Sequence, residues 1–317
     1  MKYKKTKLND GPQPATNHRL LTTHPKRSLG QNFLTSEAAV AKIVAAGEIK
    51  SDDTVLEIGP GRGVLTKKLL SLARKVIAVE KDDELFELLQ NKFAKEIETG
   101  RLQLVHEDIL KFDESNYNLL TTTYNLISNI PYNITGAILR KFLTSEHQPS
   151  TMVLLVQKEV AERIVARDGK ESLLSVSVKV YGNPQYIATV KAGSFFPAPK
   201  VDSAIIKISD ISRDFFTHME TELQNKITSK NNDFTEGSPL YVDKSDVERE
   251  FFEFVSAGFA HKRKLLSRNL AGYFGDQGEW LQACTIVKIN PKSRAENLNI
   301  ENWKILFNLS TKNQKNP

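Results

Sequence analysis

The feature that most constrains this chain is a glycine-rich loop set between a short apolar run and a helix. Val55-Leu56-Glu57-Ile58 leads directly into Gly59-Pro60-Gly61-Arg62-Gly63, and helical periodicity follows over Leu65–Leu72. A short, nearly continuous apolar run that breaks into glycines is the pattern of a buried parallel strand ending at a loop. The pattern then repeats. Val76–Val79 reads as a second strand, Leu102–Val105 as a third, Tyr124–Ser128 as a fourth and Met152–Val156 as a fifth. Helical segments lie between them at Asp83–Phe93, Gly136–Leu143 and Lys158–Arg167. Alternation of this kind implies right-handed crossovers and an α/β, Rossmann-like doubly wound sheet. Tyr186–Val190 and Ser203–Ile208 alternate apolar and polar side chains and fit later strands, antiparallel at one edge.

The flanks read differently. Residues 1–27 are polar, basic and interrupted by Gly11, Pro12, Pro14 and Pro25, so they are expected to form a flexible arm. The Rossmann-like part is expected over 28–211. Residues 212–245, polar from Gln224 onward, are expected to be a linker or insertion. Residues 246–317 carry helical periodicity in Val247, Phe251, Phe254, Val255 and Phe259 without strand runs, which predicts a smaller all-helical C-terminal domain.

The glycine loop gains meaning from the strands beside it. Glycines there let the backbone approach a ligand at the carboxyl edge of the sheet. The second strand ends in Glu80, which can accept hydrogen bonds from two ribose hydroxyls. The third ends in Glu107-Asp108, where a carboxylate can accept from an adenine amino group. A dinucleotide fingerprint, G-x-G-x-x-G, would need glycine at 64, where Val64 stands. The spacing is G-x-G-x-G, and with an acid on each of the next two strands it favours S-adenosylmethionine over NAD. Taken alone, Gly63 could serve a tight turn and Asp108 could be an ordinary strand-end turn residue.

The fourth strand ends in Ser128-Asn129-Ile130-Pro131-Tyr132, at the same sheet edge. An exocyclic adenine nitrogen is a weak nucleophile because its lone pair is delocalised into the ring. Two acceptors aimed at its hydrogens favour the more tetrahedral, more reactive nitrogen. Asn129 offers a side-chain carbonyl and Ile130 a backbone carbonyl. Pro131 fixes its own φ and biases Ile130 toward an extended conformation. Tyr132 offers a ring on which a flipped base can stack. The four residues by themselves would also suit a polar turn after a strand; their register with the glycine loop and the two acids is what marks them as catalytic.

Charge adds a partner class. The net charge is +6, and residues 1–50 hold nine Lys/Arg against three acids. A second basic cluster is His261-Lys262-Arg263-Lys264, with Arg268 a turn later. Basic patches attract phosphate backbones without reading sequence, although a solvated face is the plain alternative. No run approaches the roughly 18 apolar residues of a membrane span, and no apolar stretch follows the basic start, which argues against a secretory signal. Cys284 is the only cysteine, so no internal disulfide is possible and no zinc-ligand cluster is visible. The expectation is a cytoplasmic protein without a structural metal.

From Ser28 to about Leu309 the chain resembles the ribosomal RNA adenine N6-dimethyltransferases. Ser28-Leu29-Gly30-Gln31-Asn32-Phe33-Leu34 is similar to that family's N-terminal motif, which implies cofactor contacts from Asn32 and Leu34. Glu57–Gly63 matches its glycine loop, with Gly59 the implied contact; Glu80 matches the ribose acid, Asp108 the adenine contact and Asn129–Tyr132 the catalytic tetrad, Asn129 counting also among the cofactor contacts. Phe195-Phe196-Pro197-Ala198-Pro199-Lys200-Val201-Asp202-Ser203 resembles a later F-x-P-x-P-K-V-D-S motif, which implies that Phe195 closes on the target base opposite Tyr132. Individually, Asn32 could cap a helix, Phe195 could be core and Lys200 could simply be solvated.

The family has a branch that methylates two adjacent adenosines near the 3′ end of small-subunit (16S) rRNA, one that methylates 23S rRNA and confers antibiotic resistance, and one that serves as a mitochondrial transcription factor. Glu57-Ile58-Gly59-Pro60-Gly61, Pro199–Ser203, Ala257–Lys264 and Arg294–Leu298 resemble the first branch. Two features depart: Lys262 stands where that branch usually has Arg, and Ile130 replaces its common Leu and is frequent in the resistance branch. The resemblance implies S-adenosylmethionine as methyl donor and rRNA within an immature 30S particle as substrate, gripped by Lys200, Lys262, Arg263, Lys264 and Arg268. It implies no membrane and no obligate protein partner. A 23S methyltransferase and a non-catalytic RNA-binding assembly factor of the same fold remain the alternatives.

Overall fold

The computed structural model describes residues 25–26, 29–117, 119, 123–230 and 244–310. The chain runs β1 (Phe33–Leu34), α1 (Glu37–Gly47), β2 (Thr54–Ile58), α2 (Val64–Leu70), β3 (Lys75–Glu80), α3 (Asp83–Lys92), α4 (Ala94–Glu98), β4 (Leu102–His106), β5 (Tyr124–Asn129), α5 (Thr135–Leu143), β6 (Thr151–Gln157), α6 (Lys158–Val165), α7 (Leu173–Lys179), β7 (Asn183–Val190), β8 (Phe195–Phe196) and β9 (Ser203–Ser209). It continues in helices α8 (Asp214–Lys230), α9 (Lys244–Phe259), α10 (Leu266–Asn269), α11 (Gln277–Val287) and α12 (Ile300–Leu309).

Seven strands form one sheet in the order β4-β3-β2-β5-β6-β9-β7. Neighbours are parallel from β4 to β6, and β9 runs antiparallel to both β6 and β7. The order reverses between β2 and β5, so a crevice opens at their carboxyl ends, where open α/β sheets hold ligands. All five residues of β2 are buried, as a central strand covered on both faces requires. Leu56 and Ile58 point into one core and Val55 into the other.

Two elements sit where short patterns give little signal. β1 and β8 pair antiparallel, Phe33 opposite Phe196 and Leu34 opposite Phe195, as a two-stranded ribbon apart from the main sheet. Helix α1 packs on the sheet through Val40 and Ile43, with the Ser36 side chain accepting from Ala39 N–H at its start.

The expected linker over 212–245 is helical in its first part. Asp214–Lys230 is α8, and its Phe216 and Met219, spaced three residues apart on one face, are fully buried. Phe216 packs against Tyr181, Phe251 and Phe252, and Arg213 and Tyr181 both bond to Glu248 on α9. These contacts tie α8 and α9 to the edge of the sheet, and the apolar cluster around Leu56 and Tyr124 runs without a break into Phe254, Trp303 and Phe307. The remainder of that expected insertion, 231–243, and the expected arm over 1–24 and at Arg27 lie outside the described residues.

Candidate active site

The glycine loop takes its shape from its backbone. Gly59, Gly61 and Gly63 all have φ between 59° and 73°, where a Cβ is strained. At Gly63 a Cβ would also lie 2.5 Å from the Phe93 ring, while at Gly59 it would meet nothing within 4 Å. Gly63 is therefore fixed by packing, whereas Gly59 leaves space in front of the sheet. That space belongs to a cavity of about 290 Å³, lined by the segment Leu29–Leu34, the glycine loop, Glu80, Asp108 and Asn129–Ile134.

Glu80 ends β3 beside the loop. Its Oε1 accepts from the backbone N–H of Lys81 and of Asp82, both at 2.9 Å, and its Oε2 accepts from Gly61 N–H at 3.2 Å. Burial raises its pKa, and the three amides pull the other way by stabilising the anion. Asp108 follows β4. Its Oδ2 pairs with Lys81 Nζ at 2.8 Å and its Oδ1 accepts from Leu110 N–H at 3.0 Å; the bond from Lys81 is the main reason its pKa lies below the usual carboxylate value. Glu57 lies beneath the loop, 1% exposed, with Oε2 buried and unpartnered. Desolvation, assisted by the charge of Glu80, pushes its carboxyl to about 8.

The tetrad closes the opposite side. Asn129 ends β5, and its side-chain Nδ2 donates to the backbone carbonyl of Asn32, 3.2 Å away. Asn32 Nδ2 in turn donates to Gly30 O at 3.2 Å. Ile130 buries its side chain in the core, and Pro131 is extended (φ −61°, ψ 130°) before a turn of 3₁₀ helix over Tyr132–Ile134. The Tyr132 hydroxyl lies 2.5 Å from Ser203 Oγ at the start of β9. Burial raises the Tyr132 pKa, so the ring carries a neutral phenol.

The structure thus gathers Asn32, Leu34, Gly59, Glu80, Asp108, Asn129, Ile130, Pro131 and Tyr132 around one cavity. It does not bring Phe195 there. Phe195 is 4% exposed and packs with Leu34 in the core, because strand alternation turns it inward and leaves Phe196, 55% exposed, facing out. Lys200 is exposed on the loop between β8 and β9; Lys262, Arg263 and Lys264 are exposed after α9, and Arg268 on α10.

Sequence reasoning passed over several participants. Lys81 holds Asp108, Ser203 holds Tyr132, and the Arg62 guanidinium lies 4.7 Å from the Phe33 ring centroid and 5.9 Å from that of Phe196. A broad groove between α5, α6, α7 and α9 is lined by charges of both signs: Arg140 and Lys262 lie in it, and Arg163, Arg167 and Lys170 pair there with Glu159, Glu162 and Glu296. Arg163 on α6 shares its helix with Glu159 and Glu162 and reads in sequence as part of an ordinary solvated face. Among the described residues no group of three or more His, Cys, Asp or Glu is placed to hold a metal ion, and no helix is long and apolar enough to cross a membrane.

The donor set fits S-adenosylmethionine: a glycine position open to the ligand, a carboxylate preset by three amides, and a second carboxylate at the next strand end. Comparison with known proteins agrees. A family model described as ribosomal RNA adenine dimethylase matches residues 23–231. The ribosomal RNA small subunit methyltransferase A of Dehalococcoides mccartyi is 39% identical over 286 residues, 90% of this chain and 88% of the relative. The protein of the same description from Nostoc punctiforme is 35% identical, over 90% and 94% of the two chains. Among solved structures, a dimethyladenosine transferase from Plasmodium falciparum superposes with TM-score 0.63 at 25% identity, covering 86% of this chain and 95% of that one. The 23S rRNA methyltransferase ErmE shares the fold, with TM-score 0.65 at 24% identity over 88% and 99% of the chains.

Proposed function

Because the chain belongs to the ribosomal RNA adenine dimethylase family, we propose that it dimethylates N6 of two adjacent adenosines in the 3′-end hairpin loop of small-subunit (16S) rRNA. S-adenosylmethionine supplies an electrophilic methyl group on a sulfonium. Gly59, Glu80 and Asp108 hold this cofactor, with Asn32 and Leu34 closing over it. The single observation that carries the reading is that Asn129 and Tyr132 open onto the cavity formed by the glycine loop and the two acids.

The bond from Asn129 Nδ2 to Asn32 O sets the amide so that Oδ1 is the atom offered to the adenine amino group. That acceptor and the Ile130 carbonyl draw the N–H bonds out of the ring plane and sharpen the nitrogen lone pair. Tyr132 holds the base by stacking, its ring fixed through Ser203. No strong base is required, since the methyl donor is reactive and positioning supplies much of the rate.

The substrate side rests on the basic surface. A hairpin whose loop adenosine enters the cavity would lay its phosphates on the exposed cations Arg140 and Lys262–Lys264, since Arg163 and Arg167 are already paired with Glu159 and Glu162. Residues 246–310 act as the RNA-gripping part, with Lys200, Lys262, Arg263, Lys264 and Arg268 on phosphates. The enzyme works in the cytoplasm on an immature 30S particle, in small-subunit biogenesis, without an obligate protein partner. The small-subunit target is supported by the relatives named above, whereas the likeness to ErmE is one of fold.

The test is incubation with methyl-labelled S-adenosylmethionine and immature small or large subunits. Label in small-subunit rRNA at the two adenosines is expected. Label in the large subunit would reassign the target, and label in neither would make the chain an RNA-binding assembly factor.

A further inference from the structure

Phe196 is the most exposed large hydrophobic side chain among the described residues, at 55%. Its backbone is held: it pairs with Phe33 across the β1–β8 ribbon, and Leu34 beside Phe33 is paired with the buried Phe195. Phe33 and Arg62 line the cavity, and the Arg62 guanidinium lies 4.7 Å from the Phe33 ring and 5.9 Å from the Phe196 ring. The result is a fixed, water-facing aromatic ring beside a cation at the rim of the catalytic cavity. An isolated ring in water costs hydration with no compensating burial. A ring with a guanidinium next to it matches one chemical unit, an unstacked nucleobase with its phosphate.

We propose that Phe196 and Arg62 form a second nucleotide subsite, which holds the base next to the adenosine under methylation. The inference rests on the function proposed above. When one of two adjacent adenosines is flipped into the cavity, its neighbour loses a stacking partner. Phe196 offers a replacement face, and Arg62 lies where the phosphate joining the two nucleotides passes the rim. Pairing of β8 with β1 keeps the ring in place before RNA arrives, so little ordering is needed on binding.

The test uses the full chain, immature small subunits and labelled S-adenosylmethionine, with Phe196→Ala, Phe196→Leu and Phe196→Trp compared. Loss of one base stack corresponds to a weakening of roughly ten- to a hundredfold. Phe196→Ala is expected to raise KM for the particle by at least tenfold, with affinity for S-adenosylhomocysteine unchanged, and Phe196→Trp to restore it while Phe196→Leu does not. Equal rescue by Leu and Trp would make the residue an apolar filler and overturn the subsite, as would a wild-type KM in Phe196→Ala or a loss of cofactor affinity in that variant. If the wild-type chain itself labels no small-subunit RNA, the functional reading fails first and takes the subsite with it, an outcome distinct from any seen only in the variants.

Discussion

The side chain of Asn129 donates to the main-chain carbonyl of Asn32 across 3.2 Å, joining residues 97 positions apart in sequence. One end belongs to the strand end that presents the tetrad, the other to the segment that covers the cavity before β1. The bond decides which way the Asn129 amide faces. With its NH₂ committed to Asn32, the carbonyl oxygen is the group left to meet an amine, which is the polarity that adenine N6 requires. It also ties the segment before β1 to the strand end across the cavity.

Asn129→Ala is expected to lower methyl transfer by at least roughly a hundredfold, the scale seen when one preorganised polar group facing a transition state is removed. Cofactor affinity should fall far less than transfer, because Glu80 and its three amide donors are untouched and only the bond to Asn32 is lost. Labelled-methyl incorporation and calorimetry with S-adenosylhomocysteine measure the two effects separately. Near-normal transfer in the variant would remove the tetrad from the mechanism.

Tyr132 separates ring from hydroxyl. Its ring is assigned to stacking and its hydroxyl to Ser203. Tyr132→Phe and Ser203→Ala each delete one hydrogen bond worth about 1 kcal/mol, so each is expected to slow transfer several-fold. Tyr132→Ala removes the stacking face as well and is expected to cost at least tenfold more. If Tyr132→Phe proved as damaging as Tyr132→Ala, the hydroxyl rather than the ring would carry the role.

The parallel strands were legible because burial on both faces leaves an unbroken apolar run, as in Val76–Val79, and because Gly59 and Glu80 interrupt such runs at fixed places. The two-residue strands β1 and β8 were not, since two residues have no periodicity. The inward turn of Phe195 was not legible for a related reason: Phe195 and Phe196 are identical side chains, and only pairing with Leu34 and Phe33 decides which turns inward. Helix α8 was obscured by its polar second half, although Phe216 and Met219 had the spacing of a buried face. Gly258 shows a motif residue whose reason is purely tertiary. A Cβ there would lie 2.3 Å from the Trp303 ring, so the glycine in Ala257-Gly258-Phe259 serves helix packing, which no local pattern reveals.

Glu57 predicts a pH signature. Its carboxyl has an ordinary value near 4.5 and is pushed to about 8 in the fold by burial. Between those values the unfolded chain has released this proton and the folded chain retains it, so stability falls as pH rises, by up to roughly 1.4 kcal/mol per pH unit for this group. The contribution is fully present below the lower value and gone above about 8. Glu57→Gln cannot ionise. Its melting temperature relative to wild type, measured without cofactor, is therefore expected to climb by several degrees from pH 5 to pH 8 and then level off. A difference that stays constant across that range would show that Glu57 is not held protonated.

The basic turn after α9 can be tested by its salt dependence. Lys262, Arg263 and Lys264 are all exposed, and the turn that carries them is pinned underneath by Asn269, whose Nδ2 donates to Gly258 O at 2.6 Å and to His261 O at 3.3 Å. The three cations are thus presented on a fixed base rather than on a loose loop, and their removal should leave the fold and the cofactor cavity intact. If they neutralise phosphates, replacing all three with Gln releases fewer counterions on binding. The slope of log K against log salt for RNA binding should then shallow by roughly 0.7 to 0.9 for each phosphate no longer neutralised, two or more in total. Affinity should fall most at low salt and converge with wild type as salt rises, while S-adenosylhomocysteine binding stays unchanged. Parallel salt plots for the variant and the wild type would mean that these side chains face solvent in the complex, and would leave Arg140 on α5 to hold the RNA.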